Sequence, residues 1–325
     1  MPFSAAGDFP PVINGLDFLE STVELLTERA TPSPRNQKYA IVHLAAAFEV
    51  VLKARLEIEQ PALTWVKPEE FNEVKHSIGD FNSVKWDGTL KLVRKHCAPE
   101  TKLIDKLQIK ALVDMRNRIA HFGFAEETAA VEVVTTPVLD FLVTFVHDDL
   151  LPLVSEGQVT RAEEILERIR PGLGKIKALV DQRLKPAREL QAKHLAHIIR
   201  CRICASYSVP ILGGDATIAC VVCHADFGTP TEAAWAYADA NEYMVVTGGG
   251  ESPVLEHQGF YCDGAATHVP AGETADGAET TILLCLTCGE DCAGVCDYCG
   301  RAVTSFAFEE AQMCSDCMDN KLARF

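Results

Sequence analysis

Long apolar runs are missing from this chain, and so is cysteine over most of its length. The first 200 residues contain a single cysteine, Cys97. A membrane-spanning helix needs about 20 mostly apolar residues, but the most apolar stretch, PVLDFLVTFVHDDLLPLV, contains Asp140, His147, Asp148 and Asp149. We therefore predict a core helix there. The first fifteen residues also lack a basic region followed by an apolar one, so we expect no secretory signal. These absences favour a cytoplasmic protein with no membrane partner.

Basic residues are scarce after residue 200. Residues 1–200 carry 26 Lys and Arg against 28 Asp and Glu, a net charge of −2. Residues 201–325 carry 4 against 18, a net charge of −14, and the two values sum to the total of −16. So acidic a surface repels phosphate backbones. DNA-binding regulation through this half is therefore disfavoured, and any polyanion is expected to bind the first 200 residues.

Helical periodicity dominates the first 200 residues and fades after Cys201. Helices are predicted over residues 15–29, 37–59, 89–97, 101–122 and 130–153, and a long helix or helical pair over 159–199. The last of these is the most basic segment, with ten Lys and Arg against five Asp and Glu in residues 161–200. We predict an α+β multidomain protein with four parts. These are an all-α helical bundle (1–155), a basic helical connector projecting from it (156–200), a first β-rich cysteine module (201–230) and an acidic cysteine-rich region (231–325).

Twelve of the thirteen cysteines lie between Cys201 and Cys317, largely as C-x-x-C pairs. In a reducing compartment this pattern favours metal thiolates over disulfides. Two such pairs, about fifteen residues apart, are typical of a zinc ribbon, in which each pair forms a knuckle that presents two thiolates to a tetrahedral ion. The spacing predicts a first zinc site made by Cys201, Cys204, Cys220 and Cys223. It predicts a second made by Cys296, Cys299, Cys314 and Cys317.

Cys285 and Cys288 form a further pair, which needs two more ligands to complete a third site. The available residues are Cys262, His268, His257 and Cys292. We favour Cys262 and His268 because they lie on an upstream loop comparable to a first knuckle, although pairs from different sites could also interleave. A catalytic zinc needs an open position and a nearby base. No H-x-E motif next to P-C-x-x-C occurs, so we predict two or three closed, structural Zn²⁺ sites.

The stretch DMRNRIAHFG, residues 114–123, combines three polar residue types near a predicted helix end. On a helix Asn117 and His121 share a face, and Arg116 lies about 100° round the axis from Asn117. A histidine can move a proton at the ribose 2′-hydroxyl or at the leaving oxygen, and an arginine can clamp the phosphate. This set suits metal-independent phosphodiester cleavage. The alternative is a solvated helix face with a histidine near the helix C-terminus.

This stretch resembles the R-x4-H motif of the HEPN superfamily. The upstream helix HLAAAFEVVLKARL, with Glu49 and Lys53 four residues apart, is similar to the second helix of that superfamily, and GDFNSVKWDGTLKLVRK is similar to a segment of some bacterial members. The resemblance covers about residues 12–150. It implies an up-and-down helical bundle that dimerises, so that two motifs form one composite site. Such proteins are commonly endoribonucleases that need no metal for catalysis, and they serve in toxin–antitoxin and antiviral defence systems.

Carried onto this chain, the resemblance makes Arg116 and His121 the catalytic pair and Asn117 their polar support. Glu49 and Lys53 either support RNA binding or form a helix-surface ion pair, which is the preferred interpretation. We expect a homodimer that cuts RNA, with zinc ribbons that regulate it or bind an antitoxin or another protein partner. The competing hypothesis is a non-catalytic dimeric adaptor that docks another protein through its zinc ribbons.

Overall fold

The computed structural model describes residues 9–193, 197–214, 216–241, 245–247, 250–258, 262–274 and 278–324. The chain forms two compact units, Met1–Leu179 and Val180–Phe325. Helices make up the first unit, whereas the second contains small sheets and cysteine clusters. This is the α+β layout that the sequence predicts. The boundary between the units falls within the segment predicted to be the connector.

The first unit is a helical bundle organised around its second helix. The helices are α1 (Pro11–Thr27), α2 (Pro34–Glu59), α3 (Glu73–Ser77), α4 (Trp86–His96), α5 (Lys106–His121), α6 (Thr128–Phe145) and α7 (Glu156–Leu173). At the start of α2 the Ser33 side chain accepts a hydrogen bond from the N–H of Asn36, and Pro34 occupies the first helical position. Helix α2 packs against α1, α4, α5 and α6. Its buried stripe, which includes Leu44, Val51 and Leu52, therefore forms the centre of the core.

Helix α7 belongs to this bundle and does not project from it as a connector. Its apolar face, which includes Ile165, Ile169 and Leu173, is buried, and the helix packs against α1. Gly172 lies so close to α1 that a Cβ atom at this position would overlap the Val23 side chain. Three of the ten basic residues counted in residues 161–200, Arg161, Arg168 and Arg170, belong to this core helix. The expectation of a projecting basic helix is wrong for residues 156–173.

The most apolar segment of the chain is largely a core helix, as predicted. Residues Thr128–Leu153 are long and apolar enough to cross a membrane by length and composition, but 56% of the apolar window is buried inside the protein. Helix α6 continues into a π-helical turn over Val146–Leu150. Within this turn the buried carboxylate of Asp149 accepts hydrogen bonds from the backbone N–H groups of Glu100 at 2.6 Å and Thr101 at 3.0 Å. This acid is thus used to anchor a loop of the bundle.

The segment between α2 and α4 folds back on α2 around a group of aromatic rings. The rings of Trp65 and Phe81 stack with their centroids 4.7 Å apart. The Trp65 Nε1–H donates a hydrogen bond of 3.1 Å to Nδ1 of His76. Backbone hydrogen bonds from Val66 to Asn82 and from Val84 to Thr64 close the segment. They bring the start of α4 alongside α2.

The second unit begins within α8 and is built from short strands. Its elements are α8 (Lys177–Ala192), β1 (His197–Arg200), β2 (Tyr207–Ile211), α9 (Pro230–Asn241), β3 (Val245–Thr247), β4 (Gly250–Ser252), β5 (Leu255–Gln258), β6 (Asp263–Glu273), β7 (Glu279–Cys285), β8 (Gly294–Val295), β9 (Ala302–Val303) and α10 (Ser315–Leu322). Strands β1 and β2 pair, as do β3 and β4, and the other five form a sheet in the order β7-β6-β5-β9-β8. The pairs are antiparallel except for β5 and β9, where His257 pairs with Ala302.

Candidate functional site

A cleft of about 560 Å³ lies between α2, the start of α4 and α5. Helix α5 starts at an Asp105 cap and buries Ile109, Leu112, Met115 and Ile119 against the bundle. That spacing leaves Val113, Arg116 and Asn117 on an edge of the helix that faces the cleft. The polar residues that line the cleft are Glu49, Lys53, Lys85, Arg116 and Asn117. The structure thus brings four predicted site residues, from α2 and α5, into one cavity.

Arg116 is exposed in this cleft and is held by its neighbour in the sequence. Its Nη1 donates a hydrogen bond of 3.1 Å to Oδ1 of Asn117. In the part of the chain that the structure describes, no carboxylate lies within 4 Å of the Arg116 guanidinium. An arginine without a carboxylate partner keeps its donors available for an anion. Asn117 is suited to orient the guanidinium rather than to neutralise it.

Glu49 and Lys53 form the expected ion pair, and the pair lies in the same cleft. The Lys53 Nζ is 2.6 Å from Glu49 Oε1 and also donates a hydrogen bond of 2.9 Å to the Ser83 hydroxyl. The Lys53 side chain is only 18% exposed, so the lysine is held in place by two partners. The cleft contains three cations, on Lys53, Lys85 and Arg116, and one carboxylate, on Glu49. It is therefore positively charged, in a chain whose net charge is −16.

His121 lies outside the cleft. It is the last residue of α5 and is exposed. It is four positions after Asn117 in the helix, which places it about 6 Å further along the helix axis. The backbone N–H groups of Phe122 and Gly123 both bond to the Arg118 carbonyl and end the helix there. Arg116 and His121 are thus neighbours along one helix but do not line the same cavity within one chain.

Sequence reasoning missed two residues of this cleft, Lys85 and Trp86. They stand at the start of α4, where Lys85 is the N-cap residue and Trp86 the first helical residue. The dipeptide has no motif of its own. It lies within the stretch GDFNSVKWDGTLKLVRK, whose resemblance was noted above, but its place beside α5 depends on the fold of residues 61–85.

The second unit holds three clusters that could bind a metal ion. In each, one potential ligand atom from each of four residues lies within 4.8 Å of the others. The first contains Cys201, Cys204, Cys220 and Cys223, and the second contains Cys296, Cys299, Cys314 and Cys317, as predicted. The Sγ atoms of Cys201 and Cys223 are 3.7 Å apart, as are those of Cys204 and Cys220. All thirteen cysteines are free rather than disulfide-bonded.

Four C-x-x-C pairs share one backbone conformation. In each knuckle the backbone of the first cysteine makes two hydrogen bonds. Its N–H donates to the carbonyl of the residue five positions later, and its carbonyl accepts from the N–H of the residue four positions later. The residue after the second cysteine has a positive φ in every case. These four residues are Ala205 (60°), His224 (54°), Gly289 (78°) and Gly300 (73°). A turn that presents two thiolates to one point is therefore built four times.

The third cluster contains His257, Cys262, Cys285 and Cys288. The choice of His268 was therefore wrong, and His257, which was among the open alternatives, takes its place. His268 lies six residues beyond Cys262 on an extended strand, which corresponds to about 20 Å of chain. His257 lies on the neighbouring strand β5. It is opposite Gly264 of β6, which is two residues after Cys262.

Burial affects the protonation of this third cluster. It lowers the pKa of His257, against the charges of Glu290 and Asp263, and so favours the neutral ring that binds metals. The buried Nε2 of His257 has no hydrogen-bond partner among the described residues. Burial, together with the charge of Cys285, raises the pKa of Cys292 to about 12. Cys292 packs beside the cluster, but it is not one of the four residues whose ligand atoms converge.

In the second cluster, burial raises the pKa of Cys296, but several backbone N–H groups, led by that of Cys314, outweigh burial and lower the pKa to about 6. The thiolate, which is the form that binds metal, is therefore favoured at this position. Cys299, in contrast, is exposed, so one ligand of this cluster is open to solvent.

Comparison of the chain with protein-family models, with curated proteins and with solved structures gave no match.

Proposed function

We propose that this chain is a metal-independent endoribonuclease of the HEPN type that works as a homodimer. The observation that supports this most strongly is the positively charged cleft in which Arg116 and Asn117 lie beside Lys53 and Lys85. An arginine that no carboxylate neutralises, held by an adjacent amide, is suited to bind a phosphodiester. The toxin or antiviral role that the HEPN resemblance implies belongs to the same proposal.

The residues divide the chemistry between binding and proton transfer. Arg116 would bind the scissile phosphate and stabilise the charge that develops on it, while Asn117 holds the guanidinium. His121 would take the proton of the ribose 2′-hydroxyl as that oxygen attacks phosphorus, or give a proton to the departing 5′-oxygen. The two products are a 2′,3′-cyclic phosphate and a free 5′-hydroxyl. None of these steps needs a metal ion.

The position of His121 is the reason for proposing a dimer. His121 lies outside the cleft of its own chain, at the end of α5, and Phe122 directly after it is 93% exposed. Covering this phenyl ring with a partner would remove apolar area from water and so favour association. Docking of two copies through this end of α5 would bury Phe122 and bring both histidines near the two arginines.

The test compares RNA cleavage by the full chain with cleavage by Arg116→Ala and His121→Ala. The matched control is Arg118→Ala, which removes an exposed arginine of the same helix that pairs with Glu126 at 2.7 Å. Both site variants should lose activity by about 10²–10⁴-fold, whereas Arg118→Ala should keep it. Cleavage is measured on total RNA by mapping new 5′-hydroxyl ends.

Two outcomes would exclude the nuclease. One is a wild-type chain that cuts none of the cellular RNA classes. The other is equal activity of the site variants and the wild type. The non-catalytic adaptor would then be the better hypothesis, since the absence of His121 from the cleft and the exposure of Phe122 suit a docking surface equally well.

We further propose that the three cysteine clusters bind structural Zn²⁺. A tetrahedral zinc ion with Zn–S bonds of about 2.3 Å separates its sulfur ligands by about 3.8 Å. The spacings of 3.7 Å in the first cluster and 3.8 Å between Cys299 and Cys314 and between Cys262 and Cys285 agree with this value. Metal binding would supply the folding free energy that such small modules lack. Because residues 201–325 carry a net charge of −14, their proposed role is to bind a protein partner or to regulate the enzyme.

A further inference from the structure

Trp86 is the one aromatic side chain in the lining of the positively charged cleft. It is only partly buried, in contrast to Thr89, Leu90 and Val93, through which α4 packs into the bundle. The indole is therefore not the residue that anchors α4. A large, partly exposed aromatic ring in a charged cleft suggests a binding role, because ring area left in water gives up hydrophobic stabilisation.

The backbone around Trp86 is held by several contacts that do not involve its own ring. The Val84 N–H bonds to the Thr64 carbonyl at 2.9 Å, and the Ser83 hydroxyl accepts from Lys53. The stacked rings of Trp65 and Phe81 support this segment from behind. The indole is thus presented on a scaffold that exists before any ligand binds, which lowers the entropy cost of binding.

The cleft that Trp86 lines also contains cations. Lys85 precedes Trp86 and lines the cleft with Lys53 and Arg116, and the Lys106 ammonium is 5.9 Å from the centre of the indole. Lys106 is 4.0 Å from Asp87, so this lysine is partly neutralised. Cations that bind phosphate next to an aromatic face that binds a base make up the usual recognition site for single-stranded nucleic acid.

We infer that Trp86 is a stacking platform for one unpaired base of the RNA, next to the phosphate that Arg116 binds. The inference depends on the proposed function, because it takes RNA as the ligand of the cleft. In a duplex both faces of each base are covered by its neighbours, so a base must be unstacked before an indole can reach it. Trp86 would therefore make the enzyme select unpaired nucleotides, and Lys85 would hold the adjoining phosphate.

The volume of the cleft agrees with this assignment. About 560 Å³ lies within the range of roughly 300–1000 Å³ that is common for small-ligand sites, so the cavity is large enough for one nucleotide. A base that stacks here would increase affinity by about 5- to 150-fold, since each stacked base contributes about 1–3 kcal/mol.

The experiment measures binding of a labelled single-stranded oligouridine by the full-length His121→Ala protein, which should not cut it. The same labelled strand annealed to its complement serves as the duplex probe. Trp86→Leu should weaken single-strand binding by about 5- to 150-fold and leave duplex binding unchanged, whereas Trp86→Phe should retain most of the affinity. The control is Trp235→Leu, which removes an exposed tryptophan of the second unit and should change neither.

Tryptophan fluorescence gives a second, independent measurement, because the chain has only three tryptophans. Oligouridine should quench the His121→Ala protein, and this quenching should be lost in Trp86→Phe, which keeps a ring and so preserves the packing. Equal single-strand affinity of Trp86→Leu and its parent would overturn the inference, as would an equal loss with the duplex probe. If Trp86→Leu does not fold, the fluorescence measurement decides by itself. Quenching by oligouridine that is undiminished in Trp86→Phe would then overturn the inference.

Failure of the proposed function gives a different pattern. If Arg116→Ala leaves oligouridine binding unchanged, the cleft is not the RNA site and both proposals fail. If Arg116→Ala and Trp86→Leu both weaken binding while the wild type cuts no RNA, the stacking site stands and the nuclease fails.

Discussion

The Nδ1 atom of His257 lies 3.7 Å from the Sγ atom of Cys288, although 31 residues separate them in the chain. This distance is close to the value of about 3.6 Å expected for a nitrogen and a sulfur bound to one tetrahedral zinc ion. The pairing of β5 with β6 and of β6 with β7 produces it, because His257 is opposite Gly264 and Ala266 is opposite Cys285. The third cluster therefore depends on the sheet, whereas the first two follow from the spacing of their cysteines.

Substitution of the two candidate histidines should separate their roles. The wild type should hold three zinc ions per chain, one for each cluster, and His257→Ala should reduce this to two because the third cluster loses a ligand. His268→Ala is the matched control and should keep three. Elemental analysis of the purified chains measures the metal content. Loss of zinc in His268→Ala with retention in His257→Ala would contradict the assignment.

Two glycine substitutions in the bundle should have opposite effects on stability. A Cβ atom on Gly15 of α1 would lie 2.8 Å from Val51 Cγ2 and 3.2 Å from the Val51 backbone nitrogen. Gly15→Ala should therefore lower the free energy of unfolding by about 1–3 kcal/mol through overpacking. Gly88→Ala in α4 meets only ordinary contacts with Val84 and should raise it by about 0.5–1 kcal/mol. Urea unfolding followed by circular dichroism measures both, and a stabilised Gly15→Ala chain would show that α1 and α2 are less tightly packed.

The neighbouring acids Asp148 and Asp149 should differ in their effect on stability. Asp149 is buried and accepts two backbone N–H bonds, so Asp149→Ala would leave two donors without an acceptor and cost about 1.5–3 kcal/mol. Asp148 pairs with His147 at the surface, and Asp148→Ala should change stability by less than about 1 kcal/mol. Thermal unfolding of both variants measures the difference. Equal effects would mean that the loop at Glu100 and Thr101 is not held by Asp149.

The bundle should lose stability as the pH falls through the range in which histidine titrates. Burial lowers the pKa of His43, although the charge of Asp17 opposes this. The unfolded chain therefore binds a proton at about pH 6.5 while the folded chain still excludes it. This contribution to stability is present above about pH 6.5 and is lost as the pH falls below that value. His43→Gln cannot titrate, so its melting temperature should depend less steeply on pH between about 7 and 5.5.

The measurement for His43 is the difference between wild type and variant at each pH, because acid also protonates the cysteine clusters of both proteins. The glutamine can keep the hydrogen bond that the Ser21 hydroxyl makes with His43 Nδ1 at 2.8 Å. Parallel curves for the two proteins would show that His43 does not contribute to acid sensitivity.

What the sequence by itself determined is local. Both ligands of a knuckle lie within four residues, and the backbone turn that joins them is the same in four of the pairs. Cysteine spacing therefore predicted two clusters completely. Helices were predicted for the same reason, since the apolar stripe of α5, from Ile109 to Ile119, is encoded within one element. Arg116, Asn117 and His121 lie on this same helix.

The tertiary structure decided which distant residues meet. No local pattern distinguishes His257 from His268, because the choice depends on the register between β5 and β6. Nor does any local pattern place Lys85 and Trp86 beside Arg116, since the aromatic segment around Trp65 carries them there. The basic residues of 161–200 suggested a projecting helix, but the apolar face of α7 is buried against α1. These contacts form because elements far apart in the chain bury apolar surface against one another. The free energy of that burial depends on both elements, so the sequence of either one alone does not reveal it.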